Sequence, residues 1–398
     1  MLHVDMDAFF VEVERLDDRR LVGRPVVVGG LGGRGVVASA SYEARQRGVT
    51  SAMPVAHARS RCPNATFLPP RHDRYREVSG LIFEVLAGFT PEVEKLSIDE
   101  AFLDVSGLRL HYPTAVAVAE AIRAGVRDDV GLPASIGIAT NKLLAKLASA
   151  AAKPNGVLLV EVGRELDFLH PLPVRKLWGV GEATHATLEG MAVHTIGDLA
   201  AVPVAILKKR LGSTMGQHLA ALASGEDRRP VATEHVVRSV SVEETFATDL
   251  TAPTEVERAV LSLCDKLAGR LRRGDEAGRT VTLKVRFGDF STITRSETSP
   301  GLISTTAQLW DICRRLLTRT EAGSTPVRLL GVAVSSLEPT GVPTQLAFEP
   351  KPAHAASSAA EEVRARFGDD SLRPARLLPP PSGGRGDTPD FDPKSLQS

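Results

Sequence analysis

The chain has 398 residues, 43% of them apolar and 24% charged, with 48 basic side chains balanced by 48 acidic ones. That length allows about two to four domains, and the composition is that of an ordinary globular protein. A net charge of zero argues against a uniformly basic nucleic-acid binder and leaves only a basic groove balanced by acidic faces elsewhere. Cys62, Cys264 and Cys313 are too few and too far apart for a disulfide framework or a metal-ligand spacing. No apolar run reaches the length of a membrane span. Asp5 and Asp7 stand where a signal peptide needs its apolar core, so a cytoplasmic protein is expected.

Leu2, Val4 and Met6 alternate with His3, Asp5 and Asp7, the period of a half-buried strand with Asp5 and Asp7 on one face. Val11 to Leu16 reads as a helix. Arg24 to Gly30 is a short buried strand closed by glycines, and Gly35 to Ala40 is a second strand. Tyr42 and Arg45 then share one side of a starting helix, where a phenol and a guanidinium suit phosphate oxygens. A plain helical turn with a solvated Arg fits these residues equally well.

After a helix over 76–86 comes Ser97-Ile98-Asp99-Glu100-Ala101-Phe102-Leu103-Asp104, preceded by the apolar-led run Val93-Glu94-Lys95-Leu96. Neighbouring strand residues point to opposite faces, so two consecutive acids converge only at a tight turn, which Ser97 and Asp99 favour. An isolated Asp-Glu pair is more often a solvated hairpin tip. Combined with the carboxylates of the first strand, it builds an oxygen-rich site of the kind Mg²⁺ prefers. Two such ions stabilise the attacking and leaving oxygens of a phosphoryl transfer.

Ala115 to Val126 is an apolar-faced helix and Ala134 to Ala139 a strand. Asn141 caps a helix over 142–149 that ends before Pro154, and Lys153-Pro154-Asn155-Gly156 is a turn. This order predicts an α+β domain with helices on one face of an antiparallel or mixed sheet. From 160 to 226 the pattern is helical, and Trp178-Gly179-Val180-Gly181 between helices has the form of a helix-hairpin-helix turn. Its glycines would offer backbone N–H groups to a DNA phosphate. Strands return at 279–287, 290–296 and 327–334, with helices over 256–271 and around Trp310, so two helices on a four-stranded sheet are expected. Arg238, Lys284, Arg286 and Arg295 are its candidate phosphate contacts. Beyond about 340 the chain is Pro-, Ser- and Gly-rich, with a brief amphipathic helix over 360–367 and a disordered end from Pro379.

His3-Val4-Asp5-Met6-Asp7-Ala8-Phe9-Phe10, Tyr42-Glu43-Ala44-Arg45 and Ser97-Ile98-Asp99-Glu100-Ala101-Phe102 occur in that order at suitable spacing. Together they closely resemble the Y family of translesion DNA polymerases, in particular its DNA polymerase IV branch. The resemblance runs from residue 1 to about 340. The family usually places several residues before the first strand, whereas Met1 almost begins it here.

The resemblance implies an α+β multidomain right hand. Its palm would be 1–10 with 72–159, its small fingers 11–71, and its helical thumb 160–226. A linker at 227–237 and a C-terminal α/β little finger at 238–340 would precede a flexible tail at 341–398. It implies a template-directed DNA polymerase of low fidelity, without a proofreading exonuclease, acting as a monomer on primer-template DNA and dNTPs.

Asp5, Asp99 and Glu100, with the Met6 carbonyl, would hold two Mg²⁺ ions. Tyr42, Arg45 and Lys153 would grip the triphosphate, and Ser39 would supply a nearby hydroxyl or donor. Phe10 would lie under the sugar and exclude a ribose, leaving Phe9 to the core. Asp7 matches no ligand of the family and reads as structural. Gln345, Leu346 and Phe348 resemble the peptide that binds the sliding clamp, except that Glu349 fills its second aromatic position. Two rivals are a non-catalytic DNA- or clamp-binding scaffold, which would need the acids lost, and a nucleotide cyclase, which has no duplex to hold.

Overall fold

The computed structural model describes residues 1–234 and 237–339, with isolated positions between 359 and 377. The chain divides into two compact units, Met1–His235 and Val236–Ser398. The first unit opens with β1 (Leu2–Met6), α1 (Phe9–Asp17), β2 (Val26–Gly29), β3 (Val37–Ala40), α2 (Tyr42–Arg45), α3 (Val55–Arg61) and β4 (Thr66–Leu68). It continues with α4 (His72–Phe89), β5 (Val93–Lys95), β6 (Glu100–Leu103), α5 (Ala115–Gly125), β7 (Ala134–Ile138), α6 (Lys142–Ala152) and β8 (Val157–Leu159).

Five of these strands form one mixed sheet in the order β5-β6-β1-β7-β8, which places β1 at its centre. All pairs are antiparallel except β7 with β8. A separate sheet, β3-β2-β4, has its own small core around Val27, Ala44, Val49 and Cys62. Neither β4 nor β8 was legible in the sequence: three residues are too few to show a period, and neither has an adjacent motif such as the acidic turn that marks the equally short β5.

Helices cover both faces of the five-stranded sheet, not one. Leu2, Val4 and Met6 pack with Tyr75, Val78 and Ile82 of α4 and Val118 and Ile122 of α5. On the opposite face, His3 meets Ser149 of α6. A Cβ on Gly137 would come within 2.0 Å of the Ala145 carbonyl oxygen, so only glycine lets α6 lie this close. In consequence every residue of β1 is buried, and the alternation of apolar and polar residues does not mark a wet face here.

The rest of the first unit is helical: α7 (Glu165–Leu169), α8 (Glu182–Glu189), α9 (Ile196–Ala201), α10 (Val204–Leu211) and α11 (Ser213–Ala223). Their apolar residues share a core with Leu143, Leu144 and Leu147 of α6. Gly179 has φ 94, a conformation that favours glycine, and Gly181 caps α8 in extended conformation. The segment that follows is tied back: Asn141 donates to the Gly225 carbonyl (2.9 Å), and Asp227 accepts from the Leu143 N–H (3.1 Å). Arg229 stacks on Trp178 with its guanidinium 4.4 Å from the ring centroid.

The second unit contains β9 (Ser239–Leu250), α12 (Pro253–Arg273), β10 (Glu276–Phe287), β11 (Thr292–Ile303), α13 (Thr306–Leu317) and β12 (Val327–Pro339). Its antiparallel sheet runs β11-β10-β12-β9. Both helices pack on the side formed by Val281, Leu283, Val285 and Phe287, giving the expected two helices on four strands. Register separates the basic residues. Arg295 pairs with Leu283, so it stands on the helix side of the edge strand and donates to the Arg319 carbonyl (3.1 Å). Lys284 and Arg286 point to the open side, where Lys284 meets Glu243 (2.8 Å) and Arg286 meets Thr292 (2.9 Å). Arg238 is exposed just before β9. Gln345, Leu346 and Phe348 lie outside the described residues.

Candidate active site

The acidic hairpin forms as expected, with β5 and β6 as its arms. Leu96 and Ser97 both donate backbone N–H groups to the Glu100 carbonyl, at 3.0 and 3.4 Å. The Ser97 hydroxyl donates to Asp99 Oδ1 (2.6 Å) and fixes that carboxylate. The Met6 N–H donates to the Asp99 carbonyl (3.1 Å), pinning the tip to the end of β1. Glu100 opens β6 directly opposite Asp5 in the antiparallel register, which puts the two side chains on one face.

Two lysines meet these acids. Lys153 lies 2.5 Å from Asp5 Oδ1, and Lys146 of α6 lies 2.7 Å from Glu100 Oε2. Lys146 was not singled out from the sequence, although Lys142, Lys146 and Ser149 recur at the spacing of one helix face. Burial pushes the Asp5 carboxyl up to about 6; Lys153 pulls it down, and Glu100 and Asp99 push it further up. Burial likewise raises Asp99, opposed by the Ser97 hydrogen bond and reinforced by Glu100. Such mutual repulsion among partly dehydrated carboxylates is what an added cation relieves. Among the described residues no three His, Cys, Asp or Glu side chains converge into a ready coordination shell, since Asp5 and Glu100 are engaged with lysines and Asp99 with Ser97.

Tyr42 and Arg45 do lie on one side of α2, the guanidinium 5.0 Å from the Tyr42 ring centroid. Arg45 also donates to the Ala40 carbonyl (2.9 Å). The Tyr42 hydroxyl donates to Asp7 (2.7 Å); burial first, and then this bond, raise its pKa above the ordinary phenol value. Ser39 is buried in β3 opposite Val28. Phe9 enters the core, whereas Phe10 stays partly exposed and stacks on Tyr75 with centroids 4.2 Å apart.

His3 underlies the acids. Ser149 gives its hydroxyl proton to the Lys146 carbonyl (2.9 Å), so its oxygen accepts from His3 Nδ1 (2.6 Å). Nε2 is then a bare, buried acceptor without a partner. Burial, with Lys146 and Lys153 nearby, lowers the His3 pKa to about 2. A histidine depressed in the folded state contributes stability above the unfolded pKa of about 6.5, which is lost as the pH falls. Asp5 titrates with the opposite sign between its ordinary range and about 6, so the whole-protein curve masks the effect. The gap between wild type and His3→Leu isolates it. Urea unfolding from pH 7.5 to 4.5 should show the wild type losing up to about 1.4 kcal/mol per pH unit relative to the variant. A pH-independent gap would refute the assignment.

Comparison with known proteins agrees with this geometry. The impB/mucB/samB family matches residues 4–150 and its C-terminal domain matches 237–348, with a DNA polymerase-iota thumb domain matching 175–227. A DNA polymerase IV of Halorhodospira halophila is 46% identical over 340 residues, 85% of this chain and 95% of that protein. Another, from Desulfatibacillum aliphaticivorans, is 40% identical over 383 residues, 95% of this chain and 96% of its own length. A solved Y-family DNA polymerase chimera superposes with a TM-score of 0.75 at 24% identity, over 84% of this chain and 98% of the other. The chain belongs to the Y family of DNA polymerases, in its DNA polymerase IV branch: a translesion DNA-directed DNA polymerase with a right-hand fold and a little finger.

Proposed function

We propose that Asp5, Asp99 and Glu100, with the Met6 carbonyl, are the ligands of two Mg²⁺ ions in a nucleotidyl transfer that joins a dNTP to a primer 3′-OH. The observation that carries this is the Asp5–Glu100 cross-strand pair beside the pinned Asp99. Carboxylates and a carbonyl are the oxygen donors such ions prefer. The bound ions supply Lewis acidity for the primer hydroxyl and the triphosphate. The protein's own part is to keep the acids charged and in place. Lys153 and Lys146 neutralise Asp5 and Glu100 in the free enzyme, and Lys153 then passes to the triphosphate beside Tyr42 and Arg45. There its charge opposes the negative charge building on pyrophosphate. Ser39 is proposed as an additional donor on the fingers side.

The palm is proposed as 1–10 and 72–159, the fingers as 11–71, the thumb as 160–226, the linker as 227–237 and the little finger as 238–340. The N–H groups near Gly179 and Gly181 are proposed to meet DNA phosphates, with Arg238, Lys284 and Arg286 along the second unit. Arg295 would reach DNA only past the sheet edge. A clamp contact through Gln345, Leu346 and Phe348, a monomeric state and a cytoplasmic location complete the proposal; no helix among the described residues is long and apolar enough to cross a membrane. The scaffold alternative needs the acids lost, and all three are present.

Primer extension by chelator-treated protein tests the reading. Activity should be absent and return with Mg²⁺, and Lys153→Ala should raise the dNTP KM by about tenfold. Extension that persists without a divalent ion would overturn it.

A further inference from the structure

Asp7 is 1% exposed, and among the described residues no cation pairs with it. Its charge is met by three donors from three separate parts of the first unit. Oδ1 accepts from the Tyr42 hydroxyl of α2 (2.7 Å), and Oδ2 accepts from the Asn155 N–H in the turn after α6 (2.7 Å). The Ser135 hydroxyl of β7 reaches both oxygens, at 3.1 and 3.0 Å. Ser135 Oγ in turn lies 3.4 Å from the Gly156 N–H, a second tie to the same turn. The Asp7 N–H donates to the Pro133 carbonyl (3.1 Å), so the carboxylate is fixed at its own backbone as well.

A buried carboxylate is costly unless fully hydrogen-bonded. An apolar side chain here would leave the Tyr42 and Ser135 hydroxyls and the Asn155 N–H without this acceptor. What this one joins is specific: Tyr42, and the turn whose first residue is Lys153. Tyr42 and Lys153 are two of the three proposed triphosphate contacts, and they come from segments more than a hundred residues apart in the chain. We infer that Asp7 is a positioning residue for the incoming nucleotide, one carboxylate that sets the distance between Tyr42 and the Lys153–Gly156 turn. Holding the Tyr42 ring and the turn in place before the nucleotide arrives lowers the ordering cost of binding it, and the single Tyr42 hydroxyl proton then turns from Asp7 to the triphosphate. This rests on the proposed roles of Tyr42 and Lys153.

The test is equilibrium binding of the correct dNTP to the full-length protein on a primer-template with a dideoxy-terminated primer, so that no chemistry follows. Asp7→Ala should weaken dNTP binding by about 10- to 30-fold, and Asp7→Asn, which keeps one acceptor, by about 3- to 10-fold. Primer-template affinity should stay unchanged in both. Adding Tyr42→Phe to Asp7→Ala should bring less than about a threefold further loss, because the two act through one contact. Unchanged or tighter dNTP binding by the Asp7 variants, or losses that multiply with Tyr42→Phe, would overturn the inference. If Asp7→Ala does not fold, Asp7→Asn decides by the same criterion. Normal binding by Lys153→Ala and Tyr42→Phe would instead identify the triphosphate assignment as the failure.

Discussion

Replacing both acids of the hairpin, Asp99→Ala with Glu100→Ala, should lower primer extension by roughly 10⁴-fold while leaving the protein as stable as the wild type or more so. The activity loss follows from removing two of the three carboxylates proposed as ligands near the end of β1, which would leave Asp5 with no partner acid for a divalent ion. The stability side follows from electrostatics. Glu100 and Asp99 both push the buried Asp5 carboxyl toward protonation, so their removal relieves repulsion. Glu100 does lose its ion pair with Lys146, but that lysine is 32% exposed in its side chain and regains water at little cost. The Ser97–Asp99 bond goes as well, while the backbone pairing of the tip remains through the Glu100 and Asp99 carbonyls. Stability and activity should therefore part, as they do where a site is held together against its own charge. Primer extension and thermal melting on the same preparations check this. Extension retained within about tenfold would remove these acids from the chemistry, and a melting point lowered by many degrees would make the lost activity a matter of folding.

The acids were legible because their chemistry is local: Asp99 and Glu100 are adjacent, and Asp5 sits in an alternating strand only a few residues from the start. The roles of their neighbours depend on pairings over long separations. Lys146 reads as an ordinary helix lysine until α6 is laid across β1, and Asp7 reads as a second strand carboxylate until Tyr42, Ser135 and Asn155 are brought to it. His3 and Asp5 have the alternation of a half-wet strand, and only the glycine at 137, which admits α6, turns that face into interior. In the second unit the basic residues were visible but their faces were not. Arg295 and Lys284 part company through register, which is fixed between strands and cannot be read within one. β9 was hidden by Glu244, which takes the next apolar place in the alternation begun at Val240 and Val242.

Phe10→Ala should raise the ratio of ribonucleotide to deoxynucleotide insertion by about 10²-fold or more. Phe10 occupies the first turn of α1, reached through Ala8 at φ 43, and its ring is supported from behind. It stacks on Tyr75 at 13° between ring planes and meets His72 edge-on with centroids 6.1 Å apart. Tyr75 is itself fixed, its hydroxyl donating to Glu14 (2.6 Å), which also takes the Arg71 guanidinium at 2.9 and 2.7 Å. A ring backed in this way cannot yield to an added 2′-hydroxyl without displacing packed neighbours. Overpacking of that kind costs about 1–3 kcal/mol, and discarding a poorly placed hydroxyl adds to it. If Phe10 lies under the incoming sugar, as the family resemblance implies, removing the ring would abolish the collision with a 2′-hydroxyl, whereas removing its support would only soften it. Tyr75→Ala should therefore raise the ratio by a smaller factor, about tenfold, with Phe10 still present. Single-nucleotide insertion with matched ribo- and deoxynucleotides measures both. A ratio that moves less than about threefold in Phe10→Ala would return Phe10 to the core beside Phe9, and an equal effect from Tyr75→Ala would place the discriminating wall at Tyr75 instead.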